Sequence, residues 1–200
     1  MIGNHQAPTQ AAVLELKHEQ DVVREAYVFL DEKRLLLASE LMRQLRLYQR
    51  LRTETTNLQA KARDAAQAAV MFHGLDGLQV YPPRPLGDAE FVQNTRNFMG
   101  VMLVETELVS GETAGVDVQE GDPSARADNC ARLMRELVVK SAVLAGVSGN
   151  LYRLLAEYRV TERRSRALEN IILPEIEQAL GEMSSHLEEL ELEDAIRVRL

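Results

Sequence analysis

Apolar residues recur at alternating spacings of three and four along two long stretches of this chain. The first stretch runs from Leu37 to Phe72 and the second from Met134 to Leu190. This alternation is the heptad pattern of a coiled coil, so it predicts two long α-helices that pack along a shared seam. The predicted seam residues are Leu37, Leu41, Leu45, Tyr48, Leu51, Thr55, Leu58, Ala62, Ala65, Ala69, Phe72, Met134, Leu137, Ser141, Leu144, Ser148, Leu151, Leu155, Tyr158, Ser165, Leu168, Ile172, Ile176, Met183, Leu187 and Leu190.

Residues 73–122 separate the two stretches and have a different composition. They hold three of the six prolines and seven of the eleven glycines. His73 and Gly74 are expected to stop the first helix, and Pro82-Pro83-Arg84-Pro85 to keep it from resuming. Inside the segment, residues 98–104 are predicted to form a short strand and residues 105–109 a weaker second one. A hairpin of two strands is only marginally stable in water, so we expect it to pack against the helices or against a partner protein.

These patterns predict an all-α protein, a long antiparallel two-helix coiled-coil hairpin whose small connector carries a short β-hairpin. The three segments are an N-terminal helix (1–72), the connector (73–122) and a C-terminal helix (123–200). Thr9 is expected to cap the first helix, and Asp122-Pro123 to open the second. A helix from residue 9 to 72 would measure roughly 95 Å, about twice the diameter of a compact globule of this size. In the predicted register, Phe72 lies near Ala131, give or take one helical turn.

Two features interrupt the second helix. Pro174 removes a backbone hydrogen bond and crowds the preceding turn. Because the apolar positions keep their phase from Leu168 through Ile172 to Ile176, a kink is favoured over a break into two helices. Gly146 and Gly149 lie mid-helix, where close packing explains them better than a ligand site.

The net charge of −8 is unevenly distributed. Residues 9–72 carry ten basic and nine acidic side chains, whereas residues 73–122 carry two and nine. With no dominant basic face, nucleic acid is not expected as a partner. The chain has no apolar run long enough to span a membrane and no signal-peptide pattern at its N-terminus, and Cys130 is the single cysteine. Together these features predict a cytoplasmic protein without direct membrane insertion.

The residues of this chain indicate no catalytic constellation, and we expect no cofactor or metal. The four histidines are scattered. Only Glu15 and His18 have the Glu-x-x-His spacing of a helical-bundle metal site, which needs two such pairs. No phosphate-binding loop of the Gly-x-x-x-x-Gly-Lys-Ser/Thr type occurs. Cys130 is interpreted as a small buried residue near a helix start.

Arginines cluster on both predicted helices at about the same level of the hairpin. Two interpretations are open, a solvated face and a basic girdle that bears against acidic loops of a surrounding protein. The candidate girdle residues are Arg43, Arg46, Arg50, Arg159, Arg163, Arg164 and Arg166.

Residues 161–176, Thr-Glu-Arg-Arg-Ser-Arg-Ala-Leu-Glu-Asn-Ile-Ile-Leu-Pro-Glu-Ile, resemble a pattern of the D-subunit family of V/A-type ATP synthases: Thr-x-Arg-Arg-Val-Asn-Ala-Leu-Glu-x-Val-x-Ile-Pro. Three further stretches are similar to that family. They are Phe-Leu-Asp-Glu-Lys-Arg at 29–34, Asn-Phe-Met-Gly-Val at 97–101 and Glu-Asp-Ala-Ile-Arg-Val-Arg-Leu at 193–200. The matches follow the family's order along the whole chain.

The resemblance implies a non-catalytic central rotor shaft. Its partners would be the catalytic hexamer of A and B subunits, the small F subunit and an adaptor of the membrane rotor. It would couple ATP synthesis or hydrolysis to proton or sodium transport, on the cytoplasmic side of the cell membrane. The alternative function, from another class of proteins, is that of a free-standing coiled-coil adaptor or scaffold. An enzyme with a metal buried in a bundle is disfavoured by the missing ligands.

Overall fold

The computed structural model describes residues 9–79, 90–109 and 124–199 and confirms the predicted fold class. The described residues are mostly helical, with a long helix hairpin region and a small antiparallel sheet. The elements in chain order are helix α1 (Gln10–Gln79), strands β1 (Glu90–Phe98) and β2 (Val101–Val109), helix α2 (Ala125–Ala167), a π-helical turn (Leu168–Ile172) and helix α3 (Leu173–Arg199). The division into three segments at residues 72 and 123 stays a prediction.

The chain forms two compact units. One, the terminal unit, comprises Met1–Ala38 and Glu157–Leu200. Inside it, Arg24 Nη2 lies 3.1 Å from a carboxylate oxygen of Glu177, and Lys33 Nζ lies 2.6 Å from one of Glu157. Because the partner's number falls as the number on α1 rises, the helices of this unit run antiparallel.

The other, the central unit, comprises Ser39–Ala156. Here Lys140 Nζ lies 3.1 Å from Glu54 Oε2, and His73 Nε2 lies 2.6 Å from Ser124 Oγ. The helices of this unit are therefore antiparallel as well. The β-hairpin belongs to the same unit.

The helix ends follow the expected chemistry in part. The hydroxyl of Thr9 accepts a hydrogen bond from the backbone N–H of Ala12 at 3.2 Å, which confirms the predicted N-cap. The predicted Pro82-Pro83-Arg84-Pro85 block and the Asp122-Pro123 opening lie outside the described residues. α2 instead begins at Ala125, and the hydroxyl of Ser124 accepts from the N–H of Ala127 at 3.3 Å. Gly74 has φ 70° and ψ 169°, so it interrupts the helical backbone as predicted, although helical turns continue to Gln79.

The predicted seam is confirmed on α1, apart from its last residue. The positions from Leu37 to Ala69 are buried or half-buried, whereas Phe72 is 63% exposed. The position of Phe72 also corrects the predicted register. The guanidinium of Arg126 lies over the Phe72 ring at 4.3 Å. Arg126 precedes the predicted neighbour, Ala131, by more than one helical turn.

On α2, the predicted seam is confirmed in part, but its most deeply buried positions lie one residue before predicted ones. Ser165 is buried as predicted, and the predicted positions Leu137, Leu144, Ser148, Leu151, Leu155 and Tyr158 are half-buried. Leu133, Val147, Leu154 and Thr161 are buried, whereas the predicted seam residues Met134 and Ser141 are exposed. The buried positions are separated by multiples of seven residues, so they keep one face of the helix towards its partner. In α3, Ile176 is buried and Leu190 is exposed, so the seam ends earlier than predicted.

Pro174 neither ends the helix nor leaves it regular. The turn Leu168–Ile172 is π-helical, and the N–H of Leu173 donates to the carbonyl of Leu168, five residues back. A π-turn shifts the hydrogen-bond ladder by one residue. The shifted turn lies just before Pro174, which has no N–H to donate. Regular helical structure resumes at Leu173 and continues to Arg199.

The β-hairpin exists, but its predicted strands are wrong. β1 pairs with β2 from Glu90↔Val109 to Phe98↔Val101, and the turn consists of Met99 and Gly100. Both turn residues have positive φ, 50° and 87°, as a two-residue type I′ turn requires. The N–H of Gly100 also donates to the side chain of Asn97 at 3.1 Å. The two predicted strands are thus one strand, β2, and its partner lies before the turn.

Candidate functional site

The predicted girdle arginines are in different environments. Arg43, Arg46 and Arg50 belong to the central unit, and Arg159, Arg163, Arg164 and Arg166 to the terminal unit. Three of them are paired with carboxylates on their own helix, Arg43 with Glu40, Arg50 with Glu54 and Arg166 with Glu162. Within the described residues, no ion pair involves the exposed side chains of Arg46, Arg159, Arg163 or Arg164.

Glu40 on α1 is a buried carboxylate with several partners, and its side chain is 7% exposed. It accepts two hydrogen bonds from Arg43, at 2.6 and 2.7 Å, and one from Gln44 at 3.0 Å. The fourth comes from Arg96 on β1, at 3.2 Å. We call these four residues the carboxylate clasp, because they tie α1 to the β-hairpin.

The clasp keeps Glu40 ionised. Hydrogen bonding from Arg43 lowers the pKa of Glu40 against the opposing effect of burial, and Gln44 and the charge of Arg96 lower it further. The same hydrogen bond raises the pKa of Arg43. The arrangement is suited to holding a strand against a helix, because the buried charge is compensated on several sides.

This shift predicts how stability depends on pH. A carboxyl with a lowered pKa in the folded state stabilises the fold above its ordinary pKa of 4.5, and that contribution is lost as the pH falls below it. We expect acid titration of the unfolding free energy, followed by circular dichroism, to show this loss. Glu40→Gln should be less stable at neutral pH and should lose less on acidification. An identical acid dependence in the variant would contradict this role of Glu40.

A second link joins the hairpin to α2 through Asn150, which is 2% exposed. Its side-chain oxygen accepts from the N–H of Val104, and its side-chain nitrogen donates to the carbonyl of Val104, both at 2.8 Å. The same oxygen accepts from Arg153 at 3.1 Å. An amide side chain on a helix thus occupies the place of a neighbouring strand at the edge of β2.

Close packing supports this link one helical turn earlier. A methyl group built at Gly146 would lie 2.7 Å from Thr106 Oγ1 and 3.0 Å from its Cβ. The side chain of Thr106 therefore packs so closely against Gly146 that a larger residue there would require it to shift, which agrees with the close-packing interpretation of Gly146. Leu103 and Leu108 of β2 are buried as well.

Sequence reasoning missed Glu40, Arg96 and Asn150, since each acts on a partner far away in the chain. A polar residue inside an apolar seam is the one feature that could have indicated Asn150, which lies between the buried Val147 and Leu154.

The central unit also carries a groove of about 560 Å³ beside its buried cluster. Small side chains line much of this groove, and the guanidinium of Arg63 contributes a positive charge to its wall. The lining residues are Thr56, Gln59, Ala60, Ala62, Arg63, Ala66, Met134 and Leu137.

Residues that could bind a metal are dispersed. Across residues 9–79, 90–109 and 124–199, no group of three or more His, Cys, Asp or Glu side chains could hold an ion. Cys130 is half-buried. None of the described helices is both long and apolar enough to cross a membrane.

Comparison with known proteins gives a consistent result along the chain. The family model described as the ATP synthase D subunit matches residues 12–200. The V-type ATP synthase D subunit of Thermotoga neapolitana is 26% identical, over 96% of this chain and 95% of that protein. The A-type ATP synthase D subunit of Thermococcus kodakarensis is 29% identical, over 96% and 91%. The corresponding protein of Halobacterium salinarum is 27% identical, over 96% and 87%. Since the family model covers nearly the whole chain, this protein belongs to the D-subunit family of ATP synthases.

Proposed function

We propose that this chain is the non-catalytic central rotor shaft of a V/A-type ATP synthase. It would couple ATP synthesis or hydrolysis in a catalytic head to proton or sodium transport across the membrane. The observation that carries the proposal is the antiparallel pairing of long helices in both units, in a chain that matches the D-subunit family from residue 12 to 200. Helices paired along a seam resist bending and twisting, as a shaft that transmits torque must.

The proposal implies specific partners. The chain would lie inside a catalytic hexamer of A and B subunits, bind the F subunit on its flank and contact an adaptor of the membrane rotor. It would lie on the cytoplasmic side of the cell membrane without inserting into the bilayer, and it would bind neither a cofactor nor nucleic acid.

Native mass spectrometry of the assembly purified through a tag on this chain tests the proposal. We expect one copy of the chain together with several copies of two different catalytic subunits. A chain that is recovered alone, or with partners that hydrolyse no ATP, would contradict the shaft and favour the adaptor.

The basic girdle remains part of the proposal, as a bearing against acidic loops of the catalytic head. The exposed arginines without an intramolecular carboxylate are best placed to attract such loops. Long-range attraction accelerates association most at low ionic strength. We expect the triple variant Arg46→Gln, Arg163→Gln, Arg164→Gln to remain folded and to assemble with the head more slowly, with the larger effect at low salt.

A matched triple variant separates location from net charge. Arg63→Gln, Arg126→Gln and Arg132→Gln remove the same charge outside the girdle. Stopped-flow assembly kinetics at two salt concentrations should be slowed much less by this control. Equal rates for both variants and the unmodified chain would mean that the girdle is only a solvated face.

A further inference from the structure

In the terminal unit, the side of α1 that faces away from its partner helix is largely apolar. The seam positions of α1 in this unit alternate at spacings of three and four residues, and all are buried or half-buried: Val13, Leu16, Gln20, Val23, Tyr27, Leu30, Arg34 and Leu37. A heptad with this seam has three rows of residues that point away from the partner helix. From residue 21 to 36 these rows consist of Asp21, Val22, Glu25, Val28, Phe29, Glu32, Leu35 and Leu36, which we call the outward face.

Five large apolar side chains lie on the outward face. Val22, Val28, Phe29, Leu35 and Leu36 are between 44% and 61% exposed. A single exposed leucine is ordinary, but a helix with one seam normally carries polar residues on the side opposite that seam. Here the apolar pair Val28-Phe29 is followed seven residues later by a pair of leucines. An apolar surface of this kind is typical of an interaction site, and the heptad interval fits a further helix that lies alongside α1.

The charged residues of the outward face are all acidic. Asp21, Glu25 and Glu32 belong to it, and it contains neither lysine nor arginine. Glu25 and Glu32 are seven residues apart in the middle row, between the two apolar rows, and both are exposed. Among residues 9–79, 90–109 and 124–199, no ion pair involves either of them. A helix that packs here therefore needs basic residues opposite these two carboxylates.

A second copy of this chain is a poor occupant of the outward face. Two copies packed in register through this face would place carboxylate against carboxylate. Glu25 would lie opposite Glu25 in a parallel arrangement and opposite Glu32 in an antiparallel one. Because like charges at such positions repel, the charge pattern favours a helix of different sequence.

We propose that the outward face of α1 binds an amphipathic α-helix of another polypeptide, whose apolar stripe contains lysine or arginine residues seven positions apart. The apolar side chains would supply affinity, because they are removed from water on both sides of the interface. The two ion pairs would set the position of the partner helix along α1. From Val22 to Leu36 the face is about 21 Å long, which about 14 residues of a helix match. The inference rests on the proposed function only for the identity of the assembly that contains the partner.

Photo-crosslinking in the assembly purified through a tag on the full chain tests this inference. Phe29 is replaced by p-benzoylphenylalanine, the assembly is irradiated, and mass spectrometry maps the crosslinked residues. We expect crosslinks to one segment of another polypeptide, with apolar residues at heptad spacing and basic residues seven positions apart. The same analogue at the exposed Ile171, in the chain segment that packs against the seam side of α1, is the control and should not reach that segment.

Three results would overturn the inference: no crosslink from position 29, a crosslink to a second copy of this chain, or a crosslink to a segment without basic residues. The composition and the ATPase activity of the assembly are measured separately. A fitting helix in an assembly that hydrolyses no ATP would contradict the shaft alone. An outward face without a bound helix in a rotary complex would contradict this inference alone.

Charge reversal tests the contribution of the two glutamates. We expect Glu25→Lys combined with Glu32→Lys to lower the crosslinking yield from position 29 at least about tenfold, because basic residues would then oppose basic residues. Glu188→Lys combined with Glu191→Lys, at exposed positions of α3, changes the net charge equally and should leave the yield unaltered. Since all four positions are exposed, circular dichroism of the isolated variants should match that of the unmodified chain. An unaltered yield after charge reversal of the outward face would overturn the inference as well.

Discussion

Replacing Leu154 with alanine is expected to lower the free energy of unfolding by about 2–5 kcal/mol. Leu154 is fully buried in the α2 seam, so the substitution removes apolar contacts and leaves a cavity. Leu35→Ala, at a position 60% exposed, is the matched control and should change stability by less than about 0.5 kcal/mol. Urea unfolding of the isolated chain measures both.

In the proposed shaft, the same substitution has a functional consequence. A locally softened seam should let the catalytic head hydrolyse ATP while less torque reaches the membrane rotor. Parallel assays of ATP hydrolysis and ion pumping on the reconstituted complex should therefore show pumping reduced more than hydrolysis. Equal loss of the two activities would count against torque transmission through this chain.

Asn150→Ala is expected to release the β-hairpin from α2. The substitution leaves the N–H and C=O of the half-buried Val104 without their protein partners, at a cost of at most about 3 kcal/mol. We expect faster exchange of the β2 amides than of the amides in the α1–α2 seam, because the ladder is affected more than the helices. Tyr152→Ala, at a position of α2 that is 74% exposed, is the matched control.

A conservative variant separates the hydrogen bonds from side-chain volume. Asn150→Asp keeps the acceptor for the Val104 N–H but places a carboxylate against the Val104 carbonyl. It should therefore destabilise the hairpin at neutral pH even though its size is nearly unchanged. If either Asn150 variant leaves the exchange of β2 unaltered, Asn150 does not hold the hairpin.

The helices are predictable from the sequence because burial in a two-helix seam depends on local spacing. The run from Leu37 to Ala69 shows this, since each apolar residue needs only the partner helix opposite it. Which face of α2 is buried is harder to predict. Leu133 and Met134 are both apolar, and which of the two is buried depends on where the partner helix lies. The π-turn before Pro174 is not predictable in this way, because a missing N–H can be accommodated by a kink, a break or a shifted ladder.

The hairpin and its attachment depend on distant partners. β1 contains Gln93, Asn94 and Thr95, whose polarity is typical of a loop, and it becomes a strand through pairing with β2. Gly100 is visible in the sequence, but its position inside an apolar run conceals the turn. Glu40 and Asn150 are polar residues that would weaken an isolated seam, and they are explained only by the strand that they hold.

Rotation of this chain inside a catalytic head is the central claim. The most direct measurement fixes the catalytic subunits of the reconstituted complex to a surface and follows a probe attached to this chain during ATP hydrolysis. We expect unidirectional, stepwise rotation of the probe at a rate that follows the rate of hydrolysis. A probe that stays stationary while the complex hydrolyses ATP would contradict the shaft.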